Sequence, residues 1–297
     1  EMTSSLVGSE MCIRDSAVTA IRMATLNAAE CFDLKDRGAI APGYRADVVL
    51  LDDLKDFHVN RVFIQGALVA EEGKYLPEIK RYDISTVKGS VIVKDFSKEK
   101  FKMNLKSNKV NVIKILPGGV VTAKDTAEIE LDANGEFVRN PEVDLVKVAV
   151  VERHQGTGNV ACGFLKGYGI KEGAVALSVA HDSHNIIVVG VNDEEMEFAV
   201  NSLIEQEGGI VLVKEGKVIE SMPMPIAGLM SDQSGEWVDQ KLTDIHEKAY
   251  EELGICGDVE PVMTLCFMSL AVIPEIKLTD MGLFDVTTFS FIPVEVE

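Results

Sequence analysis

The sequence lacks several features that would place it in a familiar class. Its five cysteines form no CxxC pair and their number is odd, which favours unpaired, mostly buried thiols in a reducing compartment. No run of about 18 apolar residues occurs, so no membrane-spanning helix is expected. The first residues are acidic where a secretory signal has a basic end and an apolar core. We therefore expect a cytoplasmic protein.

Positive charge is also scarce. The 297 residues include 29 Lys and Arg against 48 Asp and Glu, a net charge of −19. Such a balance argues against a nucleic-acid backbone or an anionic membrane as a partner. Residues 78–114 carry ten Lys or Arg against four acids, but few aromatic side chains for base stacking lie among them. We interpret this stretch as a solvated surface and expect no nucleic acid and no membrane as a partner.

The first part of the chain is predicted to be a helix followed by strands. Residues 1–16 have no clear period and resemble translated adapter sequence, so we interpret them as a non-native leader. Apolar spacing predicts a helix over residues 17–33, within which Asn27 and Glu30 have the spacing of a capping box. The predicted strands of this part cover residues 46–51 and a hairpin over residues 62–74.

The rest of the chain begins with a strand-rich connecting region, residues 78–144, and continues with alternating strands and helices. Two helices with clear capping signals are predicted over residues 192–208 and 234–253. The sequence therefore predicts a mixed α/β fold of about two domains. The predicted strands cover residues 87–93, 110–116, 120–123, 146–151, 174–180, 186–189, 210–214 and 217–221.

Two short stretches between predicted strands carry many hydrogen-bonding side chains. One is residues 181–185, five polar residues in a row, and the other is residues 152–159, which contains Arg153, His154 and Asn159. A structural corner needs only Gly, Asn or Asp to set its backbone angles. A polar turn whose side chains bind their own backbone remains an alternative for both stretches.

Several motifs resemble a known family. Residues 24–30, 38–43 and 46–49 resemble the end of a metal-dependent amidohydrolase, where the last barrel helix leads to a small β-sandwich. Four further motifs resemble the C-terminal domain of adenine deaminase; they are residues 151–159, 179–185, 225–231 and 273–280. This resemblance implies conversion of adenine and water to hypoxanthine and ammonia, and a divalent metal, manganese or iron, in a β/α barrel.

The chain departs from that family in one respect. The barrel ligands of the family begin with a His-x-His pair, and no such pair occurs here. A whole barrel needs about 200 to 250 residues, which this chain does not supply. We therefore expect a C-terminal fragment that is inactive alone, with no metal ligands of its own. We expect its β-sandwich to have an unpaired edge.

The resemblance suggests roles for the two polar stretches. His181, Asp182 and His184 are candidates for a catalytic lid or a proton relay over the barrel mouth. The candidates for binding the purine are Ser183, Asn185, Arg153, His154 and Asn159. Two alternatives stay open, a network between domains or subunits and an extra metal site on His181 and His184, although a fourth ligand for that metal is not evident.

The predicted domains follow from these motifs. Residues 17–33 are the last barrel helix, residues 34–77 a β-sandwich portion, and residues 145–297 the C-terminal domain. We expect a homo-oligomer that takes adenine as its small-molecule partner. The alternatives for function are a non-catalytic regulatory or oligomerisation domain and an amidohydrolase acting on another cyclic amide.

Overall fold

The structure, a computed structural model, describes residues 16–296, which fall into two compact units divided between Tyr82 and Asp83. Each unit has its own sheets. The predicted leader lies outside the described residues except for Ser16, whose hydroxyl accepts a hydrogen bond from Thr19 N at 3.2 Å. Ser16 thereby caps the first helix.

The helix predicted over residues 17–33 is confirmed, with a one-turn π-helical insertion. It consists of α1 (Ala17–Arg22), the π-helical turn (Met23–Asn27) and α2 (Ala28–Cys31). The predicted capping box is wrong. Asn27 has helical backbone angles and its side chain makes no capping hydrogen bond, because the helix runs through this residue without a break.

The first unit contains one antiparallel sheet with strand order β1-β2-β3-β4. The predicted strand is confirmed, and so is the turn at Glu72 and Gly73. The run over residues 62–70 is not one strand, because a further turn at Gln65 and Gly66 divides it; all four turn residues have positive φ. Among the described residues, β1 has a neighbour on one side only. The strands are β1 (Val48–Leu51), β2 (Val59–Ile64), β3 (Ala67–Glu71) and β4 (Lys74–Tyr75).

This unit buries very little apolar surface of its own. Among its described residues, only Ala20 and Ala29 have buried side chains. Large apolar side chains lie open, including Phe32 and Ile40, the latter 90% exposed. Exposed apolar surface of this extent is unusual for a protein surface without a partner.

The second unit is built on an eight-stranded sheet with strand order β14-β13-β11-β12-β9-β10-β5-β6. All neighbours are antiparallel except β10 and β5, which are parallel. Its strands are β5 (Lys109–Ile115), β6 (Thr122–Glu128), β9 (Leu145–Val151), β10 (Val160–Lys166), β11 (Ala174–Leu177), β12 (Ile186–Gly190), β13 (Gly209–Lys214) and β14 (Lys217–Pro223). The short strands β7 (Glu130–Leu131) and β8 (Phe137–Val138) pair with each other, and β15 (Ile276–Thr279), β16 (Gly282–Asp285) and β17 (Ser290–Phe291) form a third sheet.

Both faces of the large sheet are buried. One face packs against α3 (Asp193–Glu205), which contributes the buried side chains of Met196, Val200 and Leu203. The other packs against α4 (Gly235–Glu251), α5 (Pro261–Cys266) and the β15–β16 hairpin. Burial on two faces explains why β11 and β12 carry no polar side chain and why β9 is apolar except for Lys147.

The predicted connecting region belongs to this unit. Strands β5 and β6 are the last two strands of the large sheet, so the boundary proposed after residue 144 falls inside one compact unit. The strand predicted over residues 87–93 is wrong. This segment makes its backbone hydrogen bonds with loops, through Val87 O to Ala227 N and Ile92 N to Arg153 O, rather than with a neighbouring strand.

The described cysteines, Cys31, Cys162, Cys256 and Cys266, are all free. The expectation of mostly buried thiols is wrong in part, because Cys31 and Cys256 are exposed. Burial raises the pKa of Cys162 and of Cys266 to about 12, so that both remain protonated thiols at neutral pH. Within residues 16–296, no helix combines the length and the apolar character that crossing a membrane requires.

Candidate functional site

Strand register brings the two polar stretches together at the same end of three adjacent strands of the large sheet. Val151, the last residue of β9, pairs both with Ile186, the first residue of β12, and with Val160, the first of β10. Residues 152–159 therefore leave the sheet beside residues 178–185, which connect β11 to β12. We call these segments the first polar loop (residues 152–159) and the second polar loop (residues 178–185).

Glu152 organises the first polar loop. Its carboxylate accepts hydrogen bonds from the backbone N–H groups of His154, Gln155 and Thr157 at 2.6 to 2.9 Å, and from the Thr157 hydroxyl at 3.0 Å. Burial alone would raise the pKa of Glu152, but these donors outweigh it and lower the pKa to about 2. The loop is thus built around a permanent negative charge.

The second polar loop holds two imidazoles close together. The ring centroids of His181 and His184 lie 5.7 Å apart, and the His181 ring packs at 4.8 Å from the ring of Phe267. His184 has a φ of +52° and its backbone N–H donates to Ala180 O at 2.6 Å. Within the described chain, Nδ1 of His184 is buried without a hydrogen-bond partner.

Burial lowers the pKa of His184, and the nearby charges of His181 and Arg153 lower it further, while Asp182 acts in the opposite direction. The ring is therefore neutral at pH 7. A neutral imidazole with a free nitrogen can accept a proton or a hydrogen bond, which is the chemistry that a proton relay needs.

Hydrogen bonds join the two polar loops directly. Nε2 of His154 donates to the carbonyl oxygen of Ser183 at 2.7 Å, and the backbone N–H of Arg153 donates to Oδ1 of Asn185 at 3.3 Å. The loops consequently hold each other in place. The family resemblance assigns both loops to one cleft, and the structure adds the hydrogen bonds that join them.

Asp280, in the turn between β15 and β16, adds a third segment. Its carboxylate accepts from Nδ2 of Asn185 at 3.3 Å and from Nδ2 of Asn159 at 3.4 Å. We define the polar cluster as the side chains of the two loops together with Asp280; its members are Arg153, His154, Asn159, His181, Asp182, Ser183, His184, Asn185 and Asp280. All eight residues predicted for the site thus lie at one edge of the sheet.

The members differ in exposure. Asp182, Ser183, His154 and Asn159 are exposed, while His181 and His184 are half-buried. Arg153 and Asn185, two of the predicted purine-binding residues, are 1% and 4% exposed. These two side chains lie behind the surface, so only the exposed and half-buried members are open to a ligand.

Sequence reasoning missed Asp280, Glu152 and Gly228. Asp280 ends one of the four family motifs and Glu152 belongs to another, but neither position reveals what its carboxylate binds. Gly228 has a φ of +71°, and a Cβ on it would lie 2.7 Å from the Arg153 guanidinium. Glycine is required here because the backbone must pass close to that side chain.

The described residues offer no metal site. Between residues 16 and 296, no three His, Cys, Asp or Glu side chains are grouped closely enough to hold a metal ion. His181 and His184 supply two imidazoles to the polar cluster, and structural zinc sites need four ligands. The donor set here therefore does not fit a divalent metal, and we place no metal step on these residues.

Comparisons with known proteins agree with the motifs. The adenine deaminase C-terminal domain family matches residues 119–290, and the amidohydrolase family matches residues 14–69. The chain belongs to the adenine deaminase family. The match to the amidohydrolase family implies a divalent metal, for which the residues described here offer no site.

Three relatives illustrate the extent of the similarity. Adenine deaminase 2 of Desulfotalea psychrophila is 66% identical over 94% of this chain. Adenine deaminase of Ligilactobacillus salivarius is 49% identical over 94%, and adenine deaminase 2 of Carboxydothermus hydrogenoformans is 46% identical over 93%. The alignment covers 48% of each of these relatives, so the chain spans about half their length.

Proposed function

We propose that this chain supplies the C-terminal half of an adenine deaminase, which converts adenine and water to hypoxanthine and ammonia. The observation that carries the proposal is the 66% identity to an adenine deaminase over nearly the whole chain. Residues 17–33 serve as the last barrel helix and residues 34–77 as part of the adjoining β-sandwich. The open apolar side chains of the first unit support this assignment, because a barrel would cover them.

The metal belongs to the barrel in this proposal. Manganese or iron would be held by barrel ligands outside this chain and would supply Lewis acidity for the hydrolysis. The residues of this chain bind and orient the purine, and they exclude bulk water from it. By itself the chain is expected to be inactive.

The polar cluster serves as the lid over the barrel mouth. The neutral His184 ring can accept a proton or a hydrogen bond from the purine or from water, with His181 and Asp182 beside it. The exposed side chains of Ser183, His154 and Asn159 are placed to contact the purine edge. Arg153 and Asn185 act behind them, because their side chains are buried.

One alternative role has an observation in its favour. The cluster's own hydrogen bonds, such as His154 Nε2 to Ser183 O, engage side chains that a substrate would otherwise use. A purely structural network between domains or subunits would likewise use its side chains for hydrogen bonds within the protein. Mutation of His184, whose Nδ1 is unengaged within the described chain, separates the two roles.

We place the complete enzyme in purine salvage in the cytoplasm and expect it to act as a homo-oligomer. The small-molecule partner is adenine. The excess of acidic residues supports the expectation that nucleic acids are not partners.

The experiment joins this chain to the N-terminal half of its Desulfotalea relative. The purified chimera, supplied with manganese or iron, is tested for hypoxanthine formation from adenine, with dihydrouracil and hydantoin as the cyclic-amide alternatives. Turnover of adenine alone supports the proposal. A well-folded, metal-loaded chimera that leaves adenine unchanged contradicts it, and hydrolysis of a cyclic amide would favour that other activity.

A further inference from the structure

Arg153 is buried in the polar cluster without an acidic partner. No Asp or Glu of the described residues forms an ion pair with it. Its guanidinium donates instead to backbone carbonyl oxygens, from Nε to His184 O at 2.5 Å, from Nη2 to Ala227 O at 3.2 Å and, at the longer distance of 3.5 Å, from Nη1 to Ser90 O.

Three separate segments of the chain contact the Arg153 side chain. The extended segment at residues 88–94 contacts the guanidinium through Ser90 O, and the second polar loop contacts it through His184 O. Gly228 lies against the guanidinium with no room for a Cβ. A buried charge without a counter-ion is costly. A methionine would fill the space at a lower cost, so packing alone does not explain an arginine here.

The contact to the second polar loop is the most specific of the three. It joins the guanidinium to the carbonyl of His184, a residue held at positive φ, which is an uncommon backbone conformation for a histidine. Fixing that carbonyl fixes the backbone from which the imidazole projects. The positive charge behind the ring also opposes protonation of the imidazole.

We propose that Arg153 is a positioning residue, whose buried guanidinium fixes the His184 backbone at its carbonyl oxygen and adds a permanent positive charge near the imidazole. This inference rests on the proposed role of the polar cluster as a lid. Arg153 does not contact the purine. It acts on the residue that does, by fixing the backbone of that residue and by adding to the effect of burial, which disfavours protonation of the ring.

Four groups act on the His184 ring and enter the test. Burial is the largest cause of its lowered pKa, followed by His181, Arg153 and His154 on the same side and Asp182 in opposition. The guanidinium of Arg153 keeps its positive charge throughout the range from pH 5 to pH 8. Replacing it therefore changes the His184 titration without altering which other groups titrate.

The first measurement follows the histidine ring signals of this chain by NMR as a function of pH. Arg153→Met removes the charge and Arg153→Lys keeps it. Arg139→Met is the matched control, because Arg139, a partly buried arginine, likewise donates to a backbone carbonyl, Ile170 O at 3.0 Å. The pKa of His184 is expected to rise in Arg153→Met and to stay low in Arg153→Lys and Arg139→Met.

The second measurement tests whether Arg153 positions His184. It uses only Arg153→Lys, which retains the charge, so it can still be made if Arg153→Met fails to fold. A lysine ammonium cannot reproduce the planar fork that reaches several carbonyls. Exchange of the His184 amide hydrogen is expected to be roughly fivefold to tenfold faster than in the wild type, as for the loss of one supporting hydrogen bond. Unchanged exchange, or an unchanged His184 pKa in a folded Arg153→Met chain, overturns the inference.

The third measurement separates this inference from the proposed function. In the chimera described above, the acid side of the pH–kcat profile is expected to move to higher pH in Arg153→Met and to be restored in Arg153→Lys. If the His184 pKa moves in the NMR experiment and the kinetic profile does not, Arg153 positions His184 as inferred and the lid role of the cluster is wrong.

Discussion

Replacing Lys277 with methionine should stabilise the second unit. Lys277 lies in β15, its side chain is 0% exposed, and its ammonium has one hydrogen-bond acceptor, Val120 O at 3.1 Å. No ion pair to it exists among the described residues. Methionine has nearly the same length and shape, and it removes the charge.

The magnitude follows from the pKa. Burial lowers the pKa of Lys277 from 10.5 to about 8, which corresponds to about 3 kcal/mol against the charged form in the fold. Methionine removes that cost and loses a hydrogen bond worth about 1 kcal/mol. We expect Lys277→Met to raise the free energy of unfolding by about 2 kcal/mol at pH 7.

The effect should depend on pH in a defined direction. Between pH 8 and pH 10.5 the unfolded chain binds one more proton at Lys277 than the folded chain, so wild-type stability from this group rises with pH in that range. The advantage of Lys277→Met should therefore shrink from pH 8 to pH 10. Urea unfolding of both proteins at pH 7 and pH 10 measures it.

Lys147→Met is the matched control. Lys147 is also buried, but its ammonium forms an ion pair with Asp193 at 2.8 Å and a hydrogen bond with Phe101 O at 3.1 Å. Removing it leaves Asp193 without its partner, so this variant should be destabilised by about 3 kcal/mol. The reasoning is refuted if Lys277→Met is the less stable protein at pH 7, or if its difference from the wild type is the same at pH 10.

Three further variants test the packing and the loops. Leu203→Ala should lower the free energy of unfolding by about 2–5 kcal/mol in urea titrations, because its side chain is fully buried between α3 and the sheet. Glu152→Gln should remove a stabilising contribution that the wild type has above pH 4.5 and loses as pH falls toward 2, which thermal unfolding at pH 7 and pH 3 measures. Gly228→Ala should destabilise by about 1–3 kcal/mol, since its positive φ and the Arg153 guanidinium leave no room for a Cβ; a melting temperature equal to that of the wild type would contradict this.

Local signals were sufficient to predict many individual elements. Asn192 caps α3 by accepting from Glu195 N at 2.8 Å, as the spacing of the two residues predicts. Glu215 and Gly216 form the tight turn of the β13–β14 hairpin, both with positive φ. These features depend on residues close in the chain, and such residues are visible in the sequence.

The convergence of the candidate site depends on residues far apart in the chain. That Val151 pairs with Ile186 follows from strand order, which no local pattern specifies. The contribution of Asp280 is of the same kind, because it lies 95 residues from Asn185 in the sequence. Sequence patterns therefore predicted which loops are polar, and the fold was needed to show that they meet.

Buried charges were the hardest features to predict. Arg153 and Lys277 are charged residues, which are mostly exposed in proteins. The sequence led us to place Arg153 among the ligand-binding candidates, whereas its side chain is 1% exposed. The strand predicted over residues 87–93 is wrong for a related reason. Its backbone bonds to the loops around Arg153 instead of joining a sheet, while Val91 and Val93 pack against the core.

The central claim is that the polar cluster takes part in adenine deamination. The most direct test measures kcat and metal content of the chimera with His184→Ala, beside His246→Ala as the matched control on α4, where His246 pairs with Glu260 outside the cluster. We expect His184→Ala to lower kcat by about 10²–10⁴ with its metal retained, and His246→Ala to keep wild-type turnover. Wild-type turnover in a folded His184→Ala chimera would contradict the account.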